Sequence, residues 1–180
     1  MAFNIEIKAT YRQNDDFVAA HEIARALGAT YVGSDHQIDT YFVTPKGLFK
    51  LRESSLSGAY LVPYVRPNTA EAKKSSYVLI PVVAAEVTKT KELFVALLGI
   101  ETRVEKTRAI YLYHNVRIHL DKVVGLGTFF ELEAVCQQEQ DTAAQRAIEE
   151  GKVQFLLQQF GIAPGDLLQG SYREMSSKIV

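Results

Sequence analysis

Charged side chains recur at every second position near the middle of this sequence. The segment at 117–123 reads RIHLDKV, and the segment at 129–133 reads FFELE. Alternation with a period of two is typical of a β-strand, because successive side chains point to opposite faces. Bases and acids therefore share one face of two neighbouring strands, and the other face is apolar. The polar residues on that face are Arg117, His119, Asp121, Glu131 and Glu133.

The same spacing appears in four more segments, so six predicted strands carry charge on one face. The bases are Lys8, Lys50, Arg52, Arg66, Lys106, Arg108 and Arg117. The acids are Glu6, Asp121, Glu131 and Glu133. An antiparallel sheet with one solvated face would also explain alternating charge. Solvated faces mix signs locally, however, whereas here bases dominate the middle strands and acids are concentrated on the last two strands and at Glu6.

A sheet that curls until its polar face becomes the inside of a barrel explains both the alternation and the separated signs. Barrels of about eight strands have room for one small ligand. Converging Arg and Lys side chains suit phosphate oxygens. Carboxylates two residues apart on a strand lie about 6.5–7 Å apart and repel one another unless a cation lies between them. A hard divalent ion, Mg²⁺ or Mn²⁺, meets that need, so the residue types predict a metal–triphosphate site.

Strands must position these residues, and helices must cover the apolar face. The predicted fold is α+β: an eight-stranded, mostly antiparallel closed β-barrel with flanking helices. Apolar periodicity and end signals predict helices at 14–28, 90–99 and 141–161, with a short last turn after Pro164. Period-two alternation predicts the strands FNIEIKAT, HQIDTYFV, LFKLRES, YLVPYVRP, SSYVLIPV, EKTRAIYLY, VRIHLDKV and TFFELEAV.

Length and composition favour a single domain spanning residues 1–180. The sequence is 47% hydrophobic and 23% charged, which is enough to bury a core. Its formal net charge of −1 gives no reason to expect a nucleic-acid or membrane partner. The single cysteine, Cys136, excludes an intrachain disulfide and suits a reducing compartment. Since the sequence has no signal peptide and no long apolar run, we expect a cytoplasmic protein.

The ordered set of motifs resembles the CYTH domain family, or triphosphate tunnel metalloenzymes, which includes class IV adenylyl cyclases, thiamine triphosphatases and inorganic tripolyphosphatases. The family's opening Glu-x-Glu-x-Lys signature stands here as NIEIK, with Glu6 and Lys8 in place and Asn4 instead of the first Glu. The resemblance runs from residue 4 to about residue 175. Further similar segments follow in family order: IDTYFVTP, FKLRES, YLVPYVRPNTAEAKKSSY, VEKTRAIYLY, RIHLDKVVGLGTFFELE and SYREM.

The resemblance implies an eight-stranded antiparallel tunnel, a homodimer as in the cyclase branch, and dependence on Mg²⁺ or Mn²⁺. Taken with the charge pattern, it assigns three groups of residues. The expected catalytic residues are Lys8, Lys106 and Arg108. The expected phosphate-binding residues are Lys50, Arg52, Arg66, Arg117 and two lysines on a flap, Lys73 and Lys74, which either close over the substrate or are solvated. The expected metal ligands are Glu6, Asp121, Glu131 and Glu133.

Three functions fit such a site. The first is a class IV adenylyl cyclase-like conversion of ATP to cyclic AMP and pyrophosphate, which the similarity of YVRP and KKSSY to the bacterial cyclase-like branch favours. The second is a triphosphatase that hydrolyses thiamine triphosphate, tripolyphosphate or a nucleotide. The third is binding of triphosphorylated ligands without turnover, because Asn4 removes one charge from the metal site. Nucleic acid is not favoured, since neither a basic surface nor exposed stacking aromatics are predicted.

Several other polar residues have a structural interpretation beside a functional one. His119 is either a hydrogen-bonded structural histidine or an aid to proton transfer. Tyr41, Tyr64 and Tyr77 either pack on barrel strands or orient the substrate. The GLG segment at 125–127 is predicted to be a turn, because a phosphate-binding loop requires a helix to follow it.

Overall fold

The computed structural model describes residues 3–11, 14–65, 76–136 and 143–176. Within these ranges the chain forms strands and helices in an order that begins with a strand and ends with a short helix. The elements are β1 (Phe3–Thr10), α1 (Asn14–Ala26), β2 (Thr30–Phe42), β3 (Leu48–Ser54), β4 (Gly58–Val65), β5 (Ser76–Tyr77), β6 (Ile80–Val82), α2 (Val87–Leu98), β7 (Ile100–Tyr113), β8 (Val116–Val123), β9 (Gly127–Cys136), α3 (Ala143–Gln159), β10 (Leu167–Leu168) and α4 (Tyr172–Ser176).

One antiparallel sheet contains all of these strands. Its order is β10-β1-β9-β8-β7-β2-β3-β4-β5, and β6 pairs with β4. The predicted α+β class, with an antiparallel sheet and flanking helices, is confirmed. The predicted strand SSYVLIPV is divided into β5 and β6, and the two-residue β10 was not predicted. The sheet curls strongly, because side chains of β1 and of β4, near opposite ends of its order, line the same cavity.

The helices follow the predicted pattern with shifted ends. α1 has Asp15 and Asp16 in its first turn and Arg25 in its last, as the helix dipole favours. α2 begins at Val87, three residues before the predicted start, and directly follows a 3-10 turn at Ala84–Glu86. α3 continues through Gly151 without a break. Among the described residues, no helix is long and apolar enough to cross a bilayer.

The main core lies on the outer face of β7, β8 and β9, where α1 and α3 cover it. Its residues include Ala20 and Ala24 of α1, Leu156 of α3, and Leu120 and Leu132 of the sheet, all with no exposed surface. Complete burial of an aliphatic side chain of this size contributes roughly 1.5–3 kcal/mol. Because strand side chains alternate, this buried outer face turns the charged residues of the same strands towards the inside of the curled sheet.

The GLG segment forms the turn between β8 and β9, as predicted. Val123 pairs with Gly127 at the end of the ladder. Gly125 has a φ of 75° and Gly127 a φ of 109°, a region that disfavours every residue with a Cβ atom. The glycines therefore fix the geometry of the turn. The turn sets the register between β8 and β9, which brings Asp121 and Glu131 to one face of the sheet.

A charged cavity as candidate active site

A cavity of about 300 Å³ lies inside the curled sheet. Its walls come from β1, β2, β3, β4, β7 and β9, and the segment from Leu168 to Tyr172 closes part of one side. The structure thus brings together most of the residues that alternate on the predicted polar faces. The charged residues on its walls are Lys8, Lys50, Arg52, Lys106, Arg108, Glu6, Asp39, Glu131 and Glu133.

Asp121 lies behind the wall and holds the bases of β7 in place. It pairs directly with Arg108 in the β7–β8 ladder and has no exposed surface. Nε of Arg108 donates to its Oδ1 at 2.7 Å, and Nη2 donates to Oδ2 at 2.6 Å. Oδ2 also accepts a hydrogen bond from Nζ of Lys106 at 3.1 Å and from the hydroxyl of Tyr172 at 2.9 Å. Both carboxylate oxygens are therefore already occupied by donors.

Burial and charge act in opposite ways on this cluster. Burial opposes ionisation of Asp121, but the charges of Arg108 and Lys106 outweigh it and lower the pKa of the carboxyl. Burial, with the charge of Arg108, lowers the pKa of Lys106 to about 7 despite the attraction of Asp121. Lys106 is thus an ammonium group that loses its proton far more readily than an ordinary lysine.

A second buried carboxylate, Asp39 of β2, holds the bases of β3. Oδ1 and Oδ2 accept hydrogen bonds from Nε and Nη2 of Arg52, each at 2.7 Å. Nζ of Lys50 donates to Oδ2 at 2.7 Å and lies 3.4 Å from the hydroxyl of Tyr41. Burial lowers the pKa of Lys50 to about 8, against the attraction of Asp39. Two carboxylates, Asp39 and Asp121, therefore fix two pairs of bases that line the cavity.

The remaining acids belong to β1 and β9. Glu6 and Glu133 are directly opposite each other in the β1–β9 ladder, and Lys8 is opposite Glu131. Glu131 is buried and contacts Nζ of Lys8 at 3.2 Å and Nη2 of Arg108 at 3.2 Å. Burial works against its ionisation, but the charges of those two bases hold its pKa well below the usual range. The side chain of Glu6 is about half exposed and faces the open part of the cavity.

Tyr172, at the start of α4, joins the C-terminal segment to the site. Nζ of Lys8 lies 4.2 Å from the centre of its ring, and Nζ of Lys106 lies 5.0 Å from it. Such cation–π contacts are worth about 0.5–2 kcal/mol, more where water is excluded. Tyr172 is buried, so its ring and hydroxyl restrain three charged groups of the site at once.

The other predicted residues fall into different positions. Arg117 is exposed, pairs with Glu133 at 3.1 Å and does not line the cavity. His119 is buried and is not among the residues that line the cavity, and its Nδ1 lies 3.3 Å from Oε1 of Glu131, its opposite residue in the β8–β9 ladder, which fits the structural interpretation. Tyr41 and Tyr64 line the cavity. Predictions for the side chain of Asn4, for Arg66 and for Lys73 and Lys74 lie outside the described residues.

Sequence reasoning did not include Asp39 or Tyr172 among the site residues, and it left Tyr41 between packing and orienting the substrate. Asp39 and Tyr41 lie two residues apart on β2, so their side chains point to the same face of the sheet. The alternation in HQIDTYFV could therefore have placed both on the polar face. Tyr172 has no strand alternation to mark it, because it belongs to a short helix, and its signal in the sequence is the family-like segment SYREM.

The acid residues can be tested for their fit to a divalent ion. Among the described residues, no group of three acidic, histidine or cysteine side chains is arranged as a ready-made metal site. Glu6 and Glu133 nevertheless face each other across a ladder, where like charges destabilise a sheet. Nζ of Lys8, 3.7 Å from Glu6, and Nη1 of Arg117, 3.1 Å from Glu133, offset this repulsion, and both carboxylate side chains remain partly exposed to an incoming ion. Mg²⁺ usually takes one or two carboxylates and completes its coordination with water and substrate phosphates. The pair therefore fits an ion that arrives with a phosphate ligand.

Comparison with solved structures finds the same fold in proteins of low sequence identity. The PH1012 protein of Pyrococcus horikoshii OT3 is 22% identical, with 96% of this chain and 98% of that chain covered and a TM-score of 0.75. The PH1819 protein of the same organism is 21% identical, with 99% and 100% covered and a TM-score of 0.75. A candidate adenylate cyclase of Vibrio parahaemolyticus is 20% identical, with 96% and 97% covered and a TM-score of 0.70.

Sequence comparison with curated proteins gives no match. The model of the CYTH domain family, in contrast, matches residues 2–172. This range includes all the described residues that line the cavity. The expected family is thereby confirmed, and the chain belongs to the CYTH domain family.

Proposed function

We propose that this protein is a metal-dependent enzyme that acts on a triphosphorylated substrate inside the cavity. The observation that carries the proposal is the convergence of five bases on one small cavity whose open side presents the opposed acids Glu6 and Glu133. Phosphate oxygens accept charge-assisted hydrogen bonds from Arg and Lys, which are about twice as strong as those between neutral groups. A chain of phosphates is the ligand that would use this many donors in so small a volume.

The arginines and the lysines of the cavity have different roles in binding the phosphates. Arg52 and Arg108 are fixed by bidentate contacts to Asp39 and Asp121, so their guanidinium planes are held in set directions. Lys50 and Lys106, whose pKa values are lowered by burial, regain full charge beside a phosphate. Lys8 lies between these bases and the acid pair, 3.2 Å from Glu131.

The metal ligands in this proposal are Glu6, Glu133 and Glu131, with the first two most accessible. A bound Mg²⁺ or Mn²⁺ would neutralise phosphate charge and make a coordinated hydroxyl more acidic. Asp121 was also predicted to be a ligand, and we propose a different role for it. Because Arg108, Lys106 and Tyr172 occupy its oxygens, Asp121 orients the phosphate-binding bases.

For the reaction we propose a class IV adenylyl cyclase-like conversion of ATP. The ribose 3′-hydroxyl loses its proton to solvent, its oxygen forms a bond to the α-phosphorus, the bond from the α-phosphorus to the bridging oxygen breaks, and pyrophosphate leaves. Arg52, Lys106 and Arg108 stabilise the charge that develops on the departing pyrophosphate. Two findings support this choice: the similarity of YVRP and KKSSY to the cyclase-like branch, and the fold shared with a candidate adenylate cyclase of Vibrio parahaemolyticus.

Hydrolysis of a triphosphate is the second candidate, and the size of the cavity favours it. Pockets for drug-sized ligands range over roughly 300–1,000 Å³, and this cavity of about 300 Å³ is at the lower end. A triphosphate chain fills such a volume without a nucleoside. In that case a water molecule attacks the terminal phosphorus, the bond from that phosphorus to the bridging oxygen breaks, the diphosphate part of the substrate leaves, and the attacked group becomes orthophosphate.

One assay panel separates these functions. Purified protein is incubated with Mg²⁺ or Mn²⁺ and with ATP, thiamine triphosphate or tripolyphosphate, and the products are identified. Cyclic AMP with pyrophosphate indicates the cyclase, orthophosphate indicates the hydrolase, and binding without product indicates a non-catalytic role. The Glu133→Gln variant should lose most activity, whereas the matched control Glu53→Gln, on the outer face of β3, should keep it. Full activity in Glu133→Gln would contradict the metal assignment.

The proposal also includes one domain over residues 1–180, a cytoplasmic location and a homodimer. The first two come from length and composition, and the dimer comes from the family resemblance. Light scattering on the purified protein measures the dimer directly, and a mass of one chain across the micromolar range would contradict it.

A further inference from the structure

Gln37 of β2 is a buried polar residue with an unsatisfied atom beside the site. Its side chain is 6% exposed, and its Nε2 donates to Oδ2 of Asp35 at 2.6 Å. Among the described residues its Oε1 has no hydrogen-bond partner. A buried acceptor without a partner costs stability, so one that is kept in a well-ordered sheet requires a reason.

The orientation of the Gln37 amide is determined by its surroundings. Asp35 can only accept hydrogen bonds, so the amide nitrogen of Gln37 must face it and the oxygen must face away. Asp35 is itself fixed by Oγ of Ser54 at 2.8 Å, by Oγ of Ser55 at 3.1 Å and by the backbone N–H of Leu56 at 3.1 Å. The unsatisfied oxygen is therefore held in place by a chain of bonds that begins at the end of β3.

The residue opposite Gln37 in the β2–β7 ladder is Lys106. Side chains of directly opposed residues start from Cβ atoms about 4.5–5.5 Å apart. An ammonium group has three donors, and Lys106 has one described hydrogen bond, to Asp121. A fixed acceptor and an incompletely used donor thus lie on one face of adjacent strands.

The contact between Lys106 and Asp121 is the longest of those that Oδ2 makes. Arg108 donates to this oxygen at 2.6 Å, Tyr172 at 2.9 Å and Lys106 at 3.1 Å. A carboxylate oxygen has about two acceptor positions, so three donors compete for them. Lys106 is consequently the group that a bound phosphate draws away most easily.

We infer that Gln37 is a positioning residue whose carbonyl oxygen accepts a hydrogen bond from Lys106 when a phosphate draws that ammonium group from Asp121. The inference rests on the proposed function, since it needs a phosphate in the cavity. Lys106 then makes one bond to the phosphate and one to Gln37, and its position no longer depends on the crowded Asp121 oxygen. Gln37 itself does not line the cavity and acts on the substrate only through Lys106.

A double-mutant cycle tests this inference. Gln37→Leu should lower the affinity for Mg²⁺-tripolyphosphate, or kcat on the triphosphate that is turned over, by about 10-fold to 100-fold, as expected for one hydrogen bond to a charged group. In a Lys106→Met background the same change should have almost no further effect, because the partner is gone. His36→Gln, on the same strand and the opposite face, serves as the control.

A spectroscopic measurement separates positioning from simple packing. In protein labelled with ¹⁵N-lysine, tripolyphosphate should shift the Nζ resonance of Lys106 in the wild type and in His36→Gln, and shift it differently in Gln37→Leu. Gln37→Met, which keeps the length of the side chain, replaces Gln37→Leu if the latter does not fold. Additive effects in the cycle, with the same Lys106 shift in all variants, overturn the inference alone. A wild-type protein that neither binds nor turns over a triphosphate overturns the proposed function, and the inference with it.

Discussion

Replacing Asp121 by asparagine tests whether this buried carboxylate compensates the bases of β7. The variant keeps the shape of the side chain and removes its charge, which leaves Arg108 and Lys106 buried without their shared anion. Removing one partner of a buried ion pair costs about 3–5 kcal/mol. Such a loss is a large share of the roughly 5–15 kcal/mol that stabilises an ordinary domain.

The loss can be converted into an unfolding temperature. A protein of about 150–250 residues loses roughly 2–4 °C for each kcal/mol, so Asp121→Asn should unfold about 6–20 °C below the wild type. Urea denaturation at pH 7 should give the same difference in free energy. Asp15→Asn, an exposed aspartate in the first turn of α1, is the matched control and should lose less than about 1 kcal/mol.

Tripolyphosphate without metal gives the second half of the test. If phosphates take over the role of the lost carboxylate, the ligand should raise the unfolding temperature of Asp121→Asn by more than that of the wild type. A ligand at about 100 times its dissociation constant adds about 2.7 kcal/mol. An unfolding temperature within about 1 °C of the wild type would refute the compensating role. Unchanged stability together with weaker metal binding would restore Asp121 as a metal ligand.

Three other perturbations follow from the same site. Tyr172→Phe keeps the ring over the lysines but removes the hydroxyl bond to Asp121, so thermal denaturation should show a loss of about 1.5–3 kcal/mol; no loss would contradict that bond. Because burial lowers the pKa of Lys106 to about 7, the unfolded chain holds more protons between about pH 7 and pH 10. Between these pH values the free energy of unfolding, measured with urea, should rise with pH in the wild type relative to Lys106→Met, by at most about 1.4 kcal/mol per pH unit. A difference between the two proteins that does not change with pH would exclude the lowered pKa. Glu6→Gln should raise the Mg²⁺ concentration needed for half-maximal activity with little change in the metal-free unfolding temperature, and an unchanged Mg²⁺ requirement would remove Glu6 from the ligands.

The fold could be predicted because its signals are local. Period-two alternation marked the long strands, and glycines marked the ends of α1, α2 and α3. The start of α2 was predicted three residues too late. The 3-10 turn at Ala84–Glu86 that precedes the helix has no side-chain cap, so the sequence contains no capping signal at this point. The division of SSYVLIPV into β5 and β6 depends on how each half pairs with β4, which sequence alternation does not contain.

The site could be predicted only to the level of which face each residue occupies. Alternation along β8 placed Arg117, His119 and Asp121 on one face. It did not show how deeply each side chain is buried or which residues it contacts. The register places Asp121 beside Arg108 with no exposed surface, whereas Arg117 lies at the other end of the strand and is exposed. Depth and register arise from the turns and from the curl of the whole sheet, so the separate roles of these residues needed the structure.

The near balance of charge around the cavity has a consequence for selectivity. Five bases and four acids are described on its walls, and Asp121 behind them is a fifth acid. The site thus carries its own counter-ions, and an incoming anion must compete with tethered carboxylates at very high local concentration. A singly charged anion displaces one contact and gains little, whereas a triphosphate with its metal replaces several at once. Competition from its own carboxylates would therefore make the cavity bind small, singly charged anions weakly.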